Sequence, residues 1–293
     1  MRSLFFFFFW IIGCLQAYEL GIGSMFRNEA PYLKEWIEYH RMVGVDHFWL
    51  YDNSSSDNWR PVLQPYIDEG LVEVFDWPRP EESSYASYQV DSFRDAIRRA
   101  VGVARWIALI DIDEFILPLT EKTVPDCLNA HFSDVSAVYV SWRCYGTGGV
   151  TVPEGDPILC KLTACSEITH PNNVIGKSIV KPETIDLKLI WYNHNFPLLT
   201  GVYVDGDHKQ MRFNGTDLPT DGHHHSRYMR INHYSLRDEN FYWNNRLAKA
   251  LNGFGNKFLI QEHYVSFSKV QDYAMVDFIK KNYPIQYKSI WKK

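Results

Sequence analysis

Asp111, Asp113 and Glu114 place three carboxylates within four residues, directly after the apolar run Trp106-Ile107-Ala108-Leu109-Ile110. Charges of one sign this close repel. The run before them is too short for a helix and reads as a strand buried on both faces. Side chains alternate along a strand, so Asp111 and Asp113 are expected to point the same way, with Ile112 turned into the core. Two carboxylates converging at the end of a buried strand suit a hard divalent cation with oxygen ligands. The bland alternative is a strand end whose acids face water. The return to burial at Phe115-Ile116-Leu117 favours the cation site.

The elements upstream position these acids. Glu19 to Met25 is a strand candidate, followed by Arg27, Asn28 and Glu29. Leu33, Trp36, Ile37 and His40 then fall on one helical face, with Pro31 in the first turn and Gly44 as the stop. Val45 to Tyr51 is the next strand and ends in the polar loop Asp52 to Asn58. Leu63 to Glu69 is a short helix, Leu71 to Phe75 a third strand, and Val90, Phe93, Ile97, Val101 and Ala104 outline a second long helix. Alternating strands and helices predict an α/β fold with a mostly parallel sheet and helices on both faces. Ligands of such sheets bind beyond the carboxyl ends of the strands. The loops carrying Arg27, Asn28 and Glu29, then Asp52, then Asp111 and Asp113 therefore converge on one edge. No Gly-x-Gly-x-x-Gly or Gly-Lys-Ser/Thr loop is present, so the dinucleotide and P-loop fingerprints are missing.

The second half is less regular. Ala137 to Trp142 reads as a strand, Lys177 to Pro182 as a short strand with two cations, and Leu187 to Tyr192 as an apolar stretch ending at Asn193-His194-Asn195. His223, His224 and His225 read as a solvated loop. Ile231-Asn232-His233-Tyr234 precedes Asp238, Glu239 and a helix through Leu251. The 293 residues are 46% apolar and 16% aromatic, enough for a substantial core, and the net charge of −5 gives no nucleic-acid footprint. Residues 1–17 begin with Arg2 and an apolar run through Ile12, and resemble an export signal, a lipid anchor at Cys14 or a signal anchor. They are set apart from a single domain over 18–293. Cys127, Cys144, Cys160 and Cys165 form no Cys-x-x-Cys pair, which disfavours zinc; disulfides and free thiols stay equally open.

The blocks Asn28 to His40, Gly44 to Phe48, Tyr51 to Asn58 and Trp106 to Phe115 together resemble glycosyltransferase family 92 and its bacterial relatives. Weaker similarity continues at Lys177 to Pro182 and Ile231 to Tyr234, in the family's order. The resemblance implies a GT-A, Rossmann-like fold with a nucleotide-sugar half over about 18–120 and an acceptor half over about 121–293. It implies a UDP-sugar donor, galactose among the sugars moved, an Asp-x-Asp site for Mn²⁺ or Mg²⁺, and inverting transfer to a glycan or glycoconjugate. Asp113 is then the direct metal ligand, Asp111 meets the metal shell or the ribose, and His233 completes the shell, with His194 next. Asp52 resembles a uracil reader, against the plainer role of a turn-forming Asx. Arg27, Asn28 and Glu29 border the nucleotide, and Lys177 faces the diphosphate or stands on a solvated edge strand. Inversion needs a general base, for which Asp238 and Glu239 are candidates, each also readable as a helix-start acid. Two rival functions stay open: a catalytically silent carbohydrate-binding protein on the same fold, and a metal-dependent phosphoester hydrolase.

Overall fold

Four parallel strands form the first half. In the computed structural model, which describes residues 17–78, 85–211, 222–252 and 256–292, β1 (Tyr18–Phe26) pairs with β2 (His47–Asp52), β2 with β3 (Val72–Asp76), and β1 on its other side with β4 (Ala104–Leu109). The crossovers are α1 (Ala30–Met42), α2 (Arg60–Asp68) and α3 (Tyr85–Ala100). α1 forms on the predicted face, with Leu33, Trp36, Ile37 and His40 all buried and Pro31 in its first turn. The chain leaves it through Gly44, whose φ of 97° suits glycine. α3 ends earlier than its apolar spacing suggests: Val101 is 45% exposed, and Ala104 already opens β4. One apolar layer lies between the sheet and the α1–α2 face, a second between the sheet and α3.

The second half departs from the predicted sheet. It contributes β5 (Glu114–Pro118), α4 (Val124–His131), β6 (Ala137–Cys144), β7 (Ala164–Cys165), β8 (Gly176–Val180), β9 (Tyr203–Asp205), β10 (Met229–His233) and β11 (Val270–Gln271). β8 inserts antiparallel between β4 and β6, β10 runs parallel to β6, and β5 runs antiparallel to β10. The order is β3-β2-β1-β4-β8-β6-β10-β5, with β9 beside β6 and a separate β7–β11 pair. The fold is therefore α/β with a curled, mixed sheet, where the sequence pattern predicted a mostly parallel one. The parallel part ends where regular crossover helices end. The only helical turns between β6 and β10 among the described residues are short 3₁₀ turns, among them Leu187–Leu189 in the stretch that looked strand-like. β8 is an interior strand and not a solvated edge, which is why Lys177 is buried.

The sheet curls until β5 meets α1. The Trp36 indole N–H donates to the carbonyls of Asp111 and Glu114, and the Tyr39 hydroxyl donates to Ile116 O at 2.8 Å. The Ile116 N–H donates to His40 Nε2, and the His40 Nδ1–H to Trp36 O. Three side chains of one helix thus occupy the open edge of a strand that would otherwise offer unpaired backbone groups. Cys127, Cys144, Cys160 and Cys165 are all free thiols.

The expectation of membrane attachment through the N-terminus is corrected. No helix among the described residues is long and apolar enough to cross a membrane. Residues 1–16, including Cys14, lie outside the described residues.

Candidate active site

The carboxyl ends of β1, β2 and β4 lie side by side, with Phe26 opposite Asp52 and Gly23 opposite Leu109. Beyond them opens a cleft of about 910 Å³, lined by Arg27, Asn28, Glu29, Gln89, Asp111, Asp113, His233, Arg237, Arg246 and Lys249 among others. The acids do not continue β4 as an alternating strand. β4 closes at Leu109, and Asp111 to Asp113 form a tight turn into β5 with Ile112 in the core, as predicted. The β5–β10 register sets His233 opposite Glu114, and the Tyr234 N–H donates to Asp113 O at 2.8 Å. That pairing brings Asp113 Oδ2 to 3.7 Å from His233 Nε2. Burial works to raise the Asp113 carboxyl, but His233, then Arg237 and Arg246, hold it well below the usual carboxylate range.

Asp111 is engaged differently. Its Oδ2 lies 3.0 Å from Lys177 Nζ, and its Oδ1 accepts a short hydrogen bond from Gln89. Gln89 in turn accepts from Asn193 at 2.6 Å. Lys177 thus stands beneath Asp111, outside the cleft lining. Burial would depress its ammonium, but Asp111 and Glu114 outweigh that and raise it. Glu114 is fully buried and accepts from the Asp111 N–H; burial pushes its carboxyl well up despite Lys177. The turn therefore holds a charged Asp113, an ion-paired Asp111 and a carboxyl at Glu114 that favours its proton. The initial repulsion among three acids is relieved by giving each a different environment.

The opposite wall is cationic. Arg237 donates to Glu29 Oε2 at 2.7 Å and lies over the Tyr32 ring, 3.9 Å from its centroid. Burial, with help from Asp113, raises the Glu29 carboxyl to about 7 although Arg237 pulls it down. Asn28 and Arg237 both carry positive φ, 58° and 55°. Neither is glycine, so both hold a costly conformation, of the kind that clusters at binding sites. The helical segment 239–251, which includes the π-helical stretch Tyr242–Leu247, adds Asn245, Arg246 and Lys249.

The other sequence candidates are placed as follows. Asp52 closes β2, accepts from the Ser55 N–H at 2.9 Å and lies outside the cleft lining. Asp238 caps the helical segment through the Phe241 N–H and accepts from the Val152 N–H at 2.7 Å. Glu239 accepts from Thr147, Tyr264 and the Trp243 indole. Neither of these two acids lines the cleft. His194 donates through Nδ1 to Gly176 O and is held neutral, near 3, by burial and then Lys177. Among the described residues no group of three or more His, Cys, Asp or Glu is arranged to hold a metal. Gln89, Arg237, Arg246 and Lys249 escaped the sequence reading. Glu29 and Arg237 stand 208 positions apart, and no local pattern joins them.

This layout, with acids and cations gathered beyond the carboxyl ends of parallel strands, is the ligand-cleft arrangement of open α/β sheets. The chain belongs to glycosyltransferase family 92, whose family model matches residues 18–248, and it is a glycosyltransferase by class. A family 92 protein of Ricinus communis is 29% identical over 66% of this chain and 34% of its own length. Another from Arabidopsis thaliana is 26% identical over 63% and 32%. The chain thus spans about a third of the length of these curated relatives. A galactan beta-1,4-galactosyltransferase of Arabidopsis thaliana is 35% identical over 32% of this chain and 19% of that protein. Among solved structures, S. aureus TarS 1-349 has 12% identity and a TM-score of 0.40 over 94% of this chain and 75% of that one, a likeness too loose to support more.

Proposed function

We propose that the cleft is the donor site of a GT-A-type, metal-dependent, inverting glycosyltransferase that takes a UDP-sugar and glycosylates a glycan or glycoconjugate. The observation that carries it is the Asp113–His233 pair, 3.7 Å apart at the carboxyl ends of parallel strands. That spacing lets both side chains reach one divalent ion at about 2.0–2.2 Å each. Asp113 is held charged, as a ligand must be. The donor set is incomplete by itself, because Asp111 is committed to Lys177 and Gln89. It fits Mn²⁺ or Mg²⁺ whose other ligands are phosphate oxygens and water, as is usual for ions that bind with a nucleotide. When bound, such an ion would offset charge on the departing diphosphate.

The chain's own residues do the rest. Lys177 and Gln89 fix Asp111 at the cleft wall, and Arg27, Asn28 and Glu29 border the nucleotide. The uracil contact is assigned to Asp52 by resemblance, its carboxylate standing at the neighbouring strand end just outside the cleft lining and held by the Ser55 N–H. The similarity to the Arabidopsis galactan galactosyltransferase supports galactose as the sugar. Residues 18–293 act as one domain, since β10 from the second half supplies His233 to the first. A two-metal phosphoester hydrolase would need more convergent ligands than the described residues provide. Calorimetry with UDP, GDP and CMP in Mn²⁺, followed by a screen of nucleotide sugars for Mn²⁺-dependent hydrolysis, tests the proposal. UDP should bind best and one UDP-sugar should be hydrolysed; preference for GDP or CMP would overturn the uridine assignment.

A further inference from the structure

The charges of the cleft do not cancel. Arg237 answers Glu29, and Lys177 answers Asp111. That leaves Asp113, beside His233, sharing the cleft with Arg27, Arg246 and Lys249. Arg246 and Lys249 are exposed on one helical segment and have no ion pair among the described residues. Arg237 is different in kind: it is 2% exposed, yet its Nε and Nη1 have no hydrogen-bond partner among the described residues. A buried charged donor left unpaired is costly. Tyr32, Glu29 and a left-handed backbone nevertheless hold this guanidinium in place at the cleft. A side chain fixed at that cost, with two idle donors beside two free cations, is built for an acceptor that comes from outside the chain.

We propose that Arg237, Arg246 and Lys249 form an anion subsite on the wall opposite Asp113, which holds a phosphate-type oxyanion without a divalent ion. Arginine offers a planar fork of donors to such a group, and lysine a mobile point charge. The subsite rests on the donor-site reading only in naming its natural occupant, the nucleotide diphosphate. A carboxylate or phosphate on the acceptor is another source of the same chemistry.

Calorimetry on the full chain in excess EDTA tests this, with inorganic pyrophosphate and glucuronate as probes. Pyrophosphate should bind without metal, and added salt should weaken it. Arg246→Ala/Lys249→Ala, at two exposed positions, should leave the melting temperature in place and weaken pyrophosphate at least about tenfold, the scale of removing one charge-assisted hydrogen bond. Asp113→Asn should leave this metal-free binding intact or tighten it. Tighter binding of glucuronate than of pyrophosphate would keep the subsite and assign it to the acceptor. If neither probe binds in EDTA, or if the double variant binds pyrophosphate as the parent does, the subsite is overturned. The two proposals fail separately. Mn²⁺-dependent UDP binding untouched in the double variant, with no pyrophosphate binding, would remove the subsite and spare the donor site. Metal-free pyrophosphate binding with no preference for UDP over GDP and CMP would do the reverse.

Discussion

Replacing Lys177 with methionine should cost about 3 kcal/mol of stability, and the estimate follows from the pair it breaks. Lys177 is 1% exposed, and its Nζ lies 3.0 Å from Asp111 Oδ2. At that distance and an effective dielectric of about 20, the attraction is about 5–6 kcal/mol. Desolvation of the ammonium takes back much of it. Removing the cation alone is worse than never having had it, because the Asp111 carboxylate is left without its partner, beside a buried Glu114 that already favours its proton. Broken buried pairs cost about 3–5 kcal/mol. The Asp111 side chain is 31% exposed and regains some hydration, which places the loss at the low end. Methionine is close to the lysine stem in size, so packing changes little, and only the ammonium's place over the Phe93 ring is lost with the charge. Urea unfolding should show a lower midpoint at unchanged slope. Adding Asp111→Asn removes the stranded charge and should recover about half of the loss, since contacting residues couple. A single variant within about 1 kcal/mol of the parent, or a double variant no more stable than the single, would refute the electrostatic account of this turn.

Asp113→Asn should lower turnover at least about a hundredfold, the scale of losing one electrostatic stabiliser. Stability should fall as well, because the attraction of His233, Arg237 and Arg246 outweighs the burial of the charge, so turnover is compared per folded molecule; full turnover in a donor-hydrolysis assay would remove the metal site. His40 has both ring nitrogens satisfied in the neutral form, and burial lowers its pKa to about 3. The unfolded chain takes up a proton near 6.5 that the native state refuses, so stability is full above that pH and falls below it. The loss reaches about 2 kcal/mol at pH 5. His40→Gln should therefore lose about 2 kcal/mol less than the parent between pH 7 and 5, and equal slopes in denaturant titrations would contradict the neutral assignment. Asp238→Ala should cost about 1–2 kcal/mol through the missing helix cap while each folded molecule keeps its turnover. An inactive variant of unchanged stability would point instead to proton transfer at Asp238.

The parallel half was legible because its signals are local. The buried face of α1 and the closure at Gly44 follow from spacing over a dozen residues, and the apolar run before Asp111 marked β4 directly. Strand direction in the second half has no such signature. Nothing within Lys177 to Pro182 says that it inserts antiparallel between β4 and β6, so a buried lysine looked like one free to meet a phosphate. The acids were found by type, but their partners were not. Gln89 meets Asp111 from α3, and Arg237 meets Glu29 from the far end of the chain. Such partners are fixed by the closed fold, and side-chain chemistry alone does not rank them above other polar residues of their segments.

The clasp of α1 on β5 bears on the order in which the protein is made. Tyr39 and His40 bind Ile116 across more than seventy positions, and β5 finds its ladder partner only in β10. A nascent chain that has emerged as far as Pro118 has its acids but no strand to seat them, and the backbone bond from Tyr234 to Asp113 does not yet exist. Contacts of such long range close slowly, and unpaired strands are exposed while they wait. Growing chains that stall before Tyr234 should therefore be held by chaperones or cleared, and Asp113 meets His233 only once that late stretch has left the ribosome.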